Sequence, residues 1–439
     1  MKLFLVFLMV IGLSGPIGFA QDVVWTPLDN YLDTLEAHNK FMGSIAVSKN
    51  GDVVYARSLG MADVELEKMA DAHSKYRIGS ISKTFTAVLV FKAVEKGLLD
   101  LDQSIDGFFP TIKNGDNTTV RHLLYHRSGI HNFTNDESFK NWHTEKKSQE
   151  ELLAVITEAG SDFEPDSMMA YSNSNYVLLT FMLEKIFDKP YADLLTEHIT
   201  QPLGLENTYL GGPIDPLNNE CRSYVFHDRW EVSPESDMSI PLGAGGIVST
   251  TSDLVKFSDA LFGGRLLTDE SLKQMTTVQD NFGAGLILVP FYQLRGFGHT
   301  GGIDAFSSVF SHFSEGNVSY ALTSNGTTFN TNDISIAVLS TVYGKPFSLP
   351  EFKIFEVDAA DLDQYLGVYA SSEIPLKISI TKDEKGLIAQ ATGQSAFPLV
   401  ATEKHVFKFE MAGIEMTFNP SENSMLLKQG GAQFNFKRE

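Results

Sequence analysis

The first pattern in the chain is an alternation of apolar and polar residues that predicts a β-hairpin. Residues 44–60, SIAVSKNGDVVYARSLG, alternate on both sides of Asn50-Gly51. This dipeptide favours a two-residue type I′ turn, because both of its positions need a positive φ. We therefore expect two antiparallel strands joined at this turn.

Helical periodicity begins at residue 80 and runs to Gly97, which is placed to cap the helix. Apolar residues cover most of its circumference, so we expect this helix to be buried on most sides. Further helices are predicted at residues 150–159, 176–187, 252–262 and 333–342, and strands at 298–325 around a turn at 315–317. Because strands open and close this region, the pattern indicates one α/β domain with an inserted helical lobe.

The C-terminal part of the chain follows a different pattern. Residues 346–360 contain Pro346 and Pro350 and are interpreted as a linker. From residue 361 to 439, short alternating runs are separated by turn sequences such as Lys385-Gly386 and Gly430-Gly431. Regularly spaced short strands and turns predict a small antiparallel β-sandwich or β-barrel.

Composition excludes some classes of partner. The chain has 439 residues, of which 43% are hydrophobic, and a formal net charge of -21. An acidic surface of this size argues against nucleic acid and anionic membranes as partners. The lone cysteine, Cys221, cannot form an internal disulfide bond, and it is interpreted as a small buried residue rather than a nucleophile.

The first twenty residues are predicted to be a signal peptide. Lys2 precedes an apolar run, and Gly15-Pro16 and a small-residue site ending at Ala20 follow it. The alternative, a membrane anchor, is disfavoured because the run is too short to span a bilayer. We expect cleavage near Ala20, a secreted protein, periplasmic or extracellular, and no stable membrane anchor.

Candidate chemistry begins with Ser80 and Lys83 in the stretch GSISKTF. On a helix, residues three apart lie on one face and within reach of each other. At a helix N-terminus, free N–H groups and the helix dipole favour the negative charge that develops on a substrate oxyanion. Desolvation lowers the pKa of a lysine, so Lys83 can take the proton of Ser80.

The spacing alone is weak, because Ser379 and Lys382 repeat it in LKISITK. Alternation in that stretch predicts a strand, on which residues three apart point to opposite faces. Two further segments strengthen the first match. Tyr171-Ser172-Asn173 offers a proton relay and an amide that can hold a carbonyl, and residues 299–302, His-Thr-Gly-Gly, offer backbone that another chain can approach closely.

In this order and at wide spacing, the three segments resemble the S-x-x-K, Y-x-N and K/H-T-G signatures of the penicillin-recognising serine hydrolases. Connecting segments resemble the class C β-lactamase-like branch, which includes DD-carboxypeptidases and D-aminopeptidases of the S12 peptidase type: LLYHRSGI at 123–130, PLGLENTYL at 202–210 and GAGGIVSTTSDL at 243–254. The resemblance implies an antiparallel sheet flanked by helices over residues 21–345. The tail, residues 361–439, resembles a lipocalin-like domain of some relatives.

The resemblance also implies a role for each matching residue, with no metal or cofactor. Ser80 is the nucleophile, Lys83 activates it, and Tyr171 relays a proton to the leaving group. Which group is the acylation base stays open. The implied substrate-binding residues are Asn173, His299, Thr300 and Gly301, and the oxyanion hole consists of the N–H groups of Ser80 and Gly302.

Two departures from the family bear on function. Most β-lactamases have a lysine where this chain has His299, which is mostly neutral at pH 7 and is more typical of DD-carboxypeptidases and D-aminopeptidases in the family. Ala305-Phe306 replaces a frequent glycine before the aromatic residue, which leaves the shape of the strand edge open.

These features predict a hydrolase of amide bonds in D-amino-acid-containing peptides, such as a D-alanyl-D-alanine carboxypeptidase. The first alternative is an esterase or weak β-lactamase on the same scaffold, and the second is a non-catalytic binding protein. The expected partner is a small peptide, amide or ester, and the oligomeric state stays open.

Overall fold

A computed structural model describes residues 23–353, 355–358 and 360–439 of the chain. The predicted signal peptide lies outside the described residues. Within them, none of the helices is long and apolar enough to cross a membrane, and no group of three or more His, Cys, Asp or Glu side chains is placed to hold a metal ion.

The main sheet of the described chain has seven antiparallel strands, in agreement with the predicted fold class. The hairpin predicted around Asn50-Gly51 is confirmed: φ is 56° at Asn50 and 88° at Gly51, as a type I′ turn requires. In spatial order, the strands are Phe282–Gly283, Leu286–Phe291, Leu294–Ile303, Phe306–Phe313, Val318–Thr327, Phe41–Lys49 and Asp52–Leu59.

Both faces of the main sheet are covered by helices. The first and last helices of this part, Thr26–Ala37 and Thr331–Val342, pack on one face, and Ser82–Glu95 and Thr251–Phe262 lie toward the other. The inserted lobe adds the helices Val120–Leu124, Gln149–Ala159, Asn173–Phe187, Tyr191–Leu195, Gln201–Leu203, Leu242–Gly245 and Asp269–Met275.

The helix predicted from residue 80 is confirmed as a buried element, with a different start. It runs over Ser82–Glu95, and a single 3₁₀ turn, Gly79–Ile81, precedes it. Every side chain from Ser82 to Phe91 is buried, because the helix lies between the main sheet and the helical lobe. Gly97, with φ +68°, follows its C-terminus as predicted.

A small three-stranded sheet joins the helical lobe to the segment that precedes the 3₁₀ turn Gly79–Ile81. Ile247–Ser249 pairs with both Tyr76–Arg77 and Tyr209–Leu210. Two small hairpins complete the described strands of this part: Met61–Asp63 with Lys68–Met69, and Tyr224–Phe226 with Trp230–Val232.

The C-terminal residues form a closed barrel of eight antiparallel strands, as predicted. Its interior is filled by a continuous apolar cluster that includes Tyr365, Phe407 and Phe418. Lys40 contacts Glu410 of the barrel at 2.6 Å, so the barrel packs against the start of the first sheet strand. The strands are Gly367–Ala370, Lys377–Lys382, Leu387–Ala391, Phe397–Glu403, Val406–Phe409, Ile414–Asn419, Ser424–Gln429 and Ala432–Arg438.

Two readings of isolated sequence features are confirmed. Ser379 and Lys382 lie on the strand Lys377–Lys382, where Ile378 and Ile380 fill the barrel interior and Ser379 faces the other side. Cys221 is buried, and burial raises the pKa of its thiol to about 12, so it is not a reactive thiolate at neutral pH.

Candidate active site

Ser80 lies in the turn that leads into the buried helix. Gly79 holds a positive φ of 50°, which lets the chain reverse tightly before the helix begins. Lys83 lies in the first turn of the helix, and its Nζ is 3.0 Å from the Ser80 Oγ. The predicted serine–lysine contact is therefore present, although Ser80 precedes the α-helix instead of belonging to it.

The Lys83 amine has three hydrogen-bond partners. Besides Ser80, its Nζ donates to Asn173 Oδ1 at 2.8 Å and to the Ala244 carbonyl at 2.6 Å. Those two oxygens can only accept, whereas the Ser80 hydroxyl can also donate. A charged ammonium can donate to all three oxygens, and a neutral amine can donate to the two pure acceptors and accept from Ser80, so these contacts fit both forms.

Burial favours that neutral form. Lys83 is fully buried, and desolvation lowers the pKa of its amine well below the ordinary value. Burial therefore favours the protonation state that can accept the proton of Ser80.

Tyr171 and Asn173 lie beside this pair. The Lys83 Nζ is 4.9 Å from the centre of the Tyr171 ring. Burial raises the pKa of the Tyr171 phenol, and a hydrogen bond with Ser80 opposes the shift, so the phenol keeps its proton. Asn173 begins the helix Asn173–Phe187, three residues earlier than the sequence predicted, and its Nδ2 donates to Thr134 Oγ1 at 2.9 Å.

His299 and Thr300 lie on the strand Leu294–Ile303, next to the tyrosine. The His299 Nδ1 is 2.6 Å from the Thr300 carbonyl, a contact that requires the proton on Nδ1 and leaves Nε2 as an acceptor. Burial lowers the pKa of His299 to about 4. The imidazole is therefore neutral at pH 7.

The glycines after Thr300 allow the strand Leu294–Ile303 to contact the turn that contains Ser80. A Cβ on Gly301 would lie 2.0 Å from the Ile78 carbonyl, and one on Gly79 would lie 2.7 Å from the Gly302 nitrogen. At Gly301, the close backbone approach that the sequence predicts is thus made by the chain itself. Gly302 has no such neighbour: its nearest contact for a Cβ would be 3.9 Å away.

A cavity of about 220 Å³ opens beside Ser80 and Gly302. Its wall is mostly apolar, and no lysine or arginine is among its described lining residues. The Asp304 carboxylate also lines it, but it is paired with the buried Arg77 at 2.8 Å. The remaining lining residues are Phe133, Thr134, Phe139, Asn173, Val177, Ser236, Ile240, Pro241, Ala244, Gly245 and Ile303.

The Ala305-Phe306 departure does not interrupt the strand edge. Ala305 lies in the reversal between the strands Leu294–Ile303 and Phe306–Phe313, after Asp304 with φ +54°. Phe306 is buried in a small cluster with Tyr76 and Cys221 and is not among the described residues that line the cavity.

Sequence patterns assign no role to three residues that the structure places at the site. Ala244 contributes a carbonyl, Thr134 contacts Asn173, and His126 stacks on Tyr171 at 4.3 Å between ring centres. Ala244 and His126 lie in the segments GAGGIVSTTSDL and LLYHRSGI. The family resemblance includes these segments but assigns no role to either residue.

Comparison with known proteins agrees with this geometry. Residues 28–342 match the family described as Beta-lactamase. Penicillin-binding protein 4* of Bacillus subtilis is 25% identical over 92% of this chain and 97% of its own length.

Two solved structures extend the likeness to three dimensions. D-amino acid amidase from Ochrobactrum anthropi SV3, in complex with L-phenylalanine amide, has a TM-score of 0.65 and 27% identity, covering 72% of this chain and 99% of that one. The octameric penicillin-binding protein homologue from Pyrococcus abyssi has a TM-score of 0.68 and 25% identity, covering 95% and 100%. The chain belongs to the beta-lactamase family of serine hydrolases.

Proposed function

We propose that the protein hydrolyses amide bonds next to a D-amino acid residue through an acyl-enzyme on Ser80. The observation that carries this proposal is the 3.0 Å contact between Ser80 Oγ and the buried Lys83 Nζ, at the mouth of an apolar cavity. A serine beside a neutral amine is an activated nucleophile.

In the proposed acylation, Ser80 Oγ attacks the substrate carbonyl and its proton passes to Lys83 Nζ. The N–H groups of Ser80 and Gly302 stabilise the oxyanion. Tyr171 then gives its proton to the leaving nitrogen and regains one from Lys83, so the C–N bond breaks and the base is restored. A water molecule hydrolyses the ester on Ser80 by the reverse sequence of proton transfers.

The lining of the cavity supports a substrate without a free carboxylate at the site. No lysine or arginine among its described residues is available for a free carboxylate, and the charge of Asp304 is compensated by Arg77. This favours an amide or an internal peptide bond over the free C-terminus that a carboxypeptidase takes. D-amino acid amidase is among the similar structures, which supports a D-amino acid on the acyl side.

A substrate panel tests the proposal. We expect D-phenylalanine amide to be cleaved faster than L-phenylalanine amide and faster than a D-alanyl-D-alanine peptide with a free carboxylate, and Ser80→Ala to be inactive on all three. Fast turnover of a short-chain ester or a cephalosporin, with every amide inert, would establish the alternative esterase or weak β-lactamase. Turnover by Ser80→Ala equal to that of the wild type would refute both.

The N-terminus and domain division are proposed from the sequence. Cleavage near Ala20 would yield a secreted chain with a hydrolase domain to residue 345, a linker over 346–360 and the β-barrel domain from 361. N-terminal sequencing of the protein from the medium or periplasm of its host tests the first of these, and a first residue of Met1 would contradict it.

A further inference from the structure

Tyr171 lies outside any helix or strand, in the extended segment that precedes Asn173–Phe187. A proton relay must be held within a fraction of an ångström to be effective. Because no regular element fixes this residue, the structure must hold it by other contacts.

One residue, His126, supplies contacts to three consecutive positions. Its carbonyl accepts from the Ala170 N–H at 3.0 Å, and its Nδ1 accepts from the Ser172 N–H at 3.1 Å. Between these two bonds, the imidazole stacks on the Tyr171 ring, with 4.3 Å between centres and 31° between planes. The backbone on both sides of Tyr171 and its side chain are therefore all held by His126.

His126 is itself firmly held. It is buried, adopts a left-handed φ of 57°, and its ring also packs on Tyr176 and Phe282 at 5.3 and 5.8 Å. The bond from Ser172 needs a lone pair on Nδ1, so the ring must be neutral. Burial lowers the pKa of His126 well below its ordinary value, which keeps it in that form.

We infer that His126 is a positioning residue that holds the Tyr171 phenol in place for proton donation to the leaving group. This inference rests on the proposed function, because it needs Tyr171 to act as the proton donor. It predicts that the two parts of the contact, acceptor and ring, can be removed separately. Phenylalanine at position 126 keeps the ring and loses the acceptor, whereas asparagine keeps an acceptor and tolerates a positive φ.

The test compares two substrates with the same acyl group, D-phenylalanine amide and D-phenylalanine p-nitrophenyl ester. Nitrophenolate leaves without a proton, whereas the amide nitrogen needs one. We expect Tyr171→Phe to lower kcat/KM for the amide by about 10²-fold or more, and for the ester by less than about 10-fold. His126→Phe should show the same selective loss at a smaller size, about 10-fold, and His126→Asn should recover most of it.

Two controls separate positioning from general structural damage. His122, one turn earlier, also accepts a backbone N–H at Nδ1, from Thr119 at 3.2 Å, but it does not contact Tyr171. We expect His122→Phe to leave the amide-to-ester ratio unchanged. In a Tyr171→Phe background, His126→Phe should cost nothing further on the amide.

The outcomes are distinct. Equal losses on amide and ester in Tyr171→Phe would refute the role of Tyr171 in the proposed function. A selective loss in Tyr171→Phe without one in His126→Phe, or an additive loss in the double variant, would overturn the inference alone. If His126→Phe fails to fold by circular dichroism, His126→Asn decides, because it removes the ring contact: an amide-to-ester ratio equal to that of the wild type would overturn the inference, and a lowered ratio would support it.

Discussion

Asp304 at the cavity wall forms a buried ion pair with Arg77, and we expect its removal to destabilise this domain more than the loss of an exposed charge. The side chains of Arg77 and Asp304 are 2% and 1% exposed, and the guanidinium and carboxylate lie 2.8 Å apart. The same carboxylate accepts from the Ser236 N–H at 3.0 Å and from its hydroxyl at 2.6 Å. Asp304→Ala therefore leaves a buried cation and frees a residue of the cavity wall.

Breaking a buried pair on one side costs about 3–5 kcal/mol, because the remaining charge stays desolvated. Arg77 keeps a second partner, Glu235 at 3.3 Å, but that carboxylate is more than a third exposed, so we expect about 3 kcal/mol. In a domain of this size that corresponds to a fall in Tm of roughly 4 °C. Loss of the Ser236 anchor should raise KM more than it lowers kcat.

Thermal unfolding by circular dichroism measures the effect. The matched control is Asp102→Ala, which removes the partner of Arg121 in an exposed pair at 2.7 Å and should cost at most about 1 kcal/mol. The double variant Arg77→Met with Asp304→Ala should recover part of the loss, since no buried charge is left unpaired. A Tm for Asp304→Ala equal to that of Asp102→Ala would refute the reasoning.

Three further predictions follow from the site. Lys83→Met should lower kcat by about 10²-fold or more. The unfolded lysine binds a proton up to pH 10.5, whereas the folded lysine does not. The free energy of unfolding of the wild type should therefore rise with pH below 10.5, more steeply than that of the variant. Gly301→Ala places a methyl group against the Ile78 carbonyl and should lower Tm by several degrees. Gly302→Ala has room for the methyl group, so it should keep the Tm of the wild type but lose kcat/KM. Equal Tm values for the two variants would contradict the packing argument. Between pH 6.5 and 4, the unfolded chain binds a proton at His299 that the folded chain excludes. Acidification should therefore destabilise the wild type by up to about 3 kcal/mol more than His299→Gln, as measured by urea titration. An equal dependence of stability on pH in the two proteins would contradict the lowered pKa of His299.

The sequence predicted the elements whose signal is local. Asn50-Gly51 specifies its own turn, and the apolar circumference after Ser80 specifies a buried helix, so both were found. The strand Leu286–Phe291 was missed, because Pro290 demotes a strand assignment and the run is short. The proline is tolerated in this strand because it lies near the edge of the sheet, opposite Arg295.

In the site too, contacts between residues close in sequence could be predicted, and contacts between distant residues could not. Ser80 and Lys83 are three residues apart, so their contact depends only on one helical turn and could be predicted. Ala244 enters through its carbonyl, an atom that every residue has, 161 positions from Lys83. No side-chain pattern marks such a contribution, and only the packing of Leu242–Gly245 against the buried helix produces it. The same holds for His126, which acts on Tyr171 partly through its backbone and from 45 positions away. The surroundings of the Lys83 amine therefore include features that sequence motifs do not record: the Ala244 carbonyl, and a packed shell that excludes water and lowers the pKa of the amine.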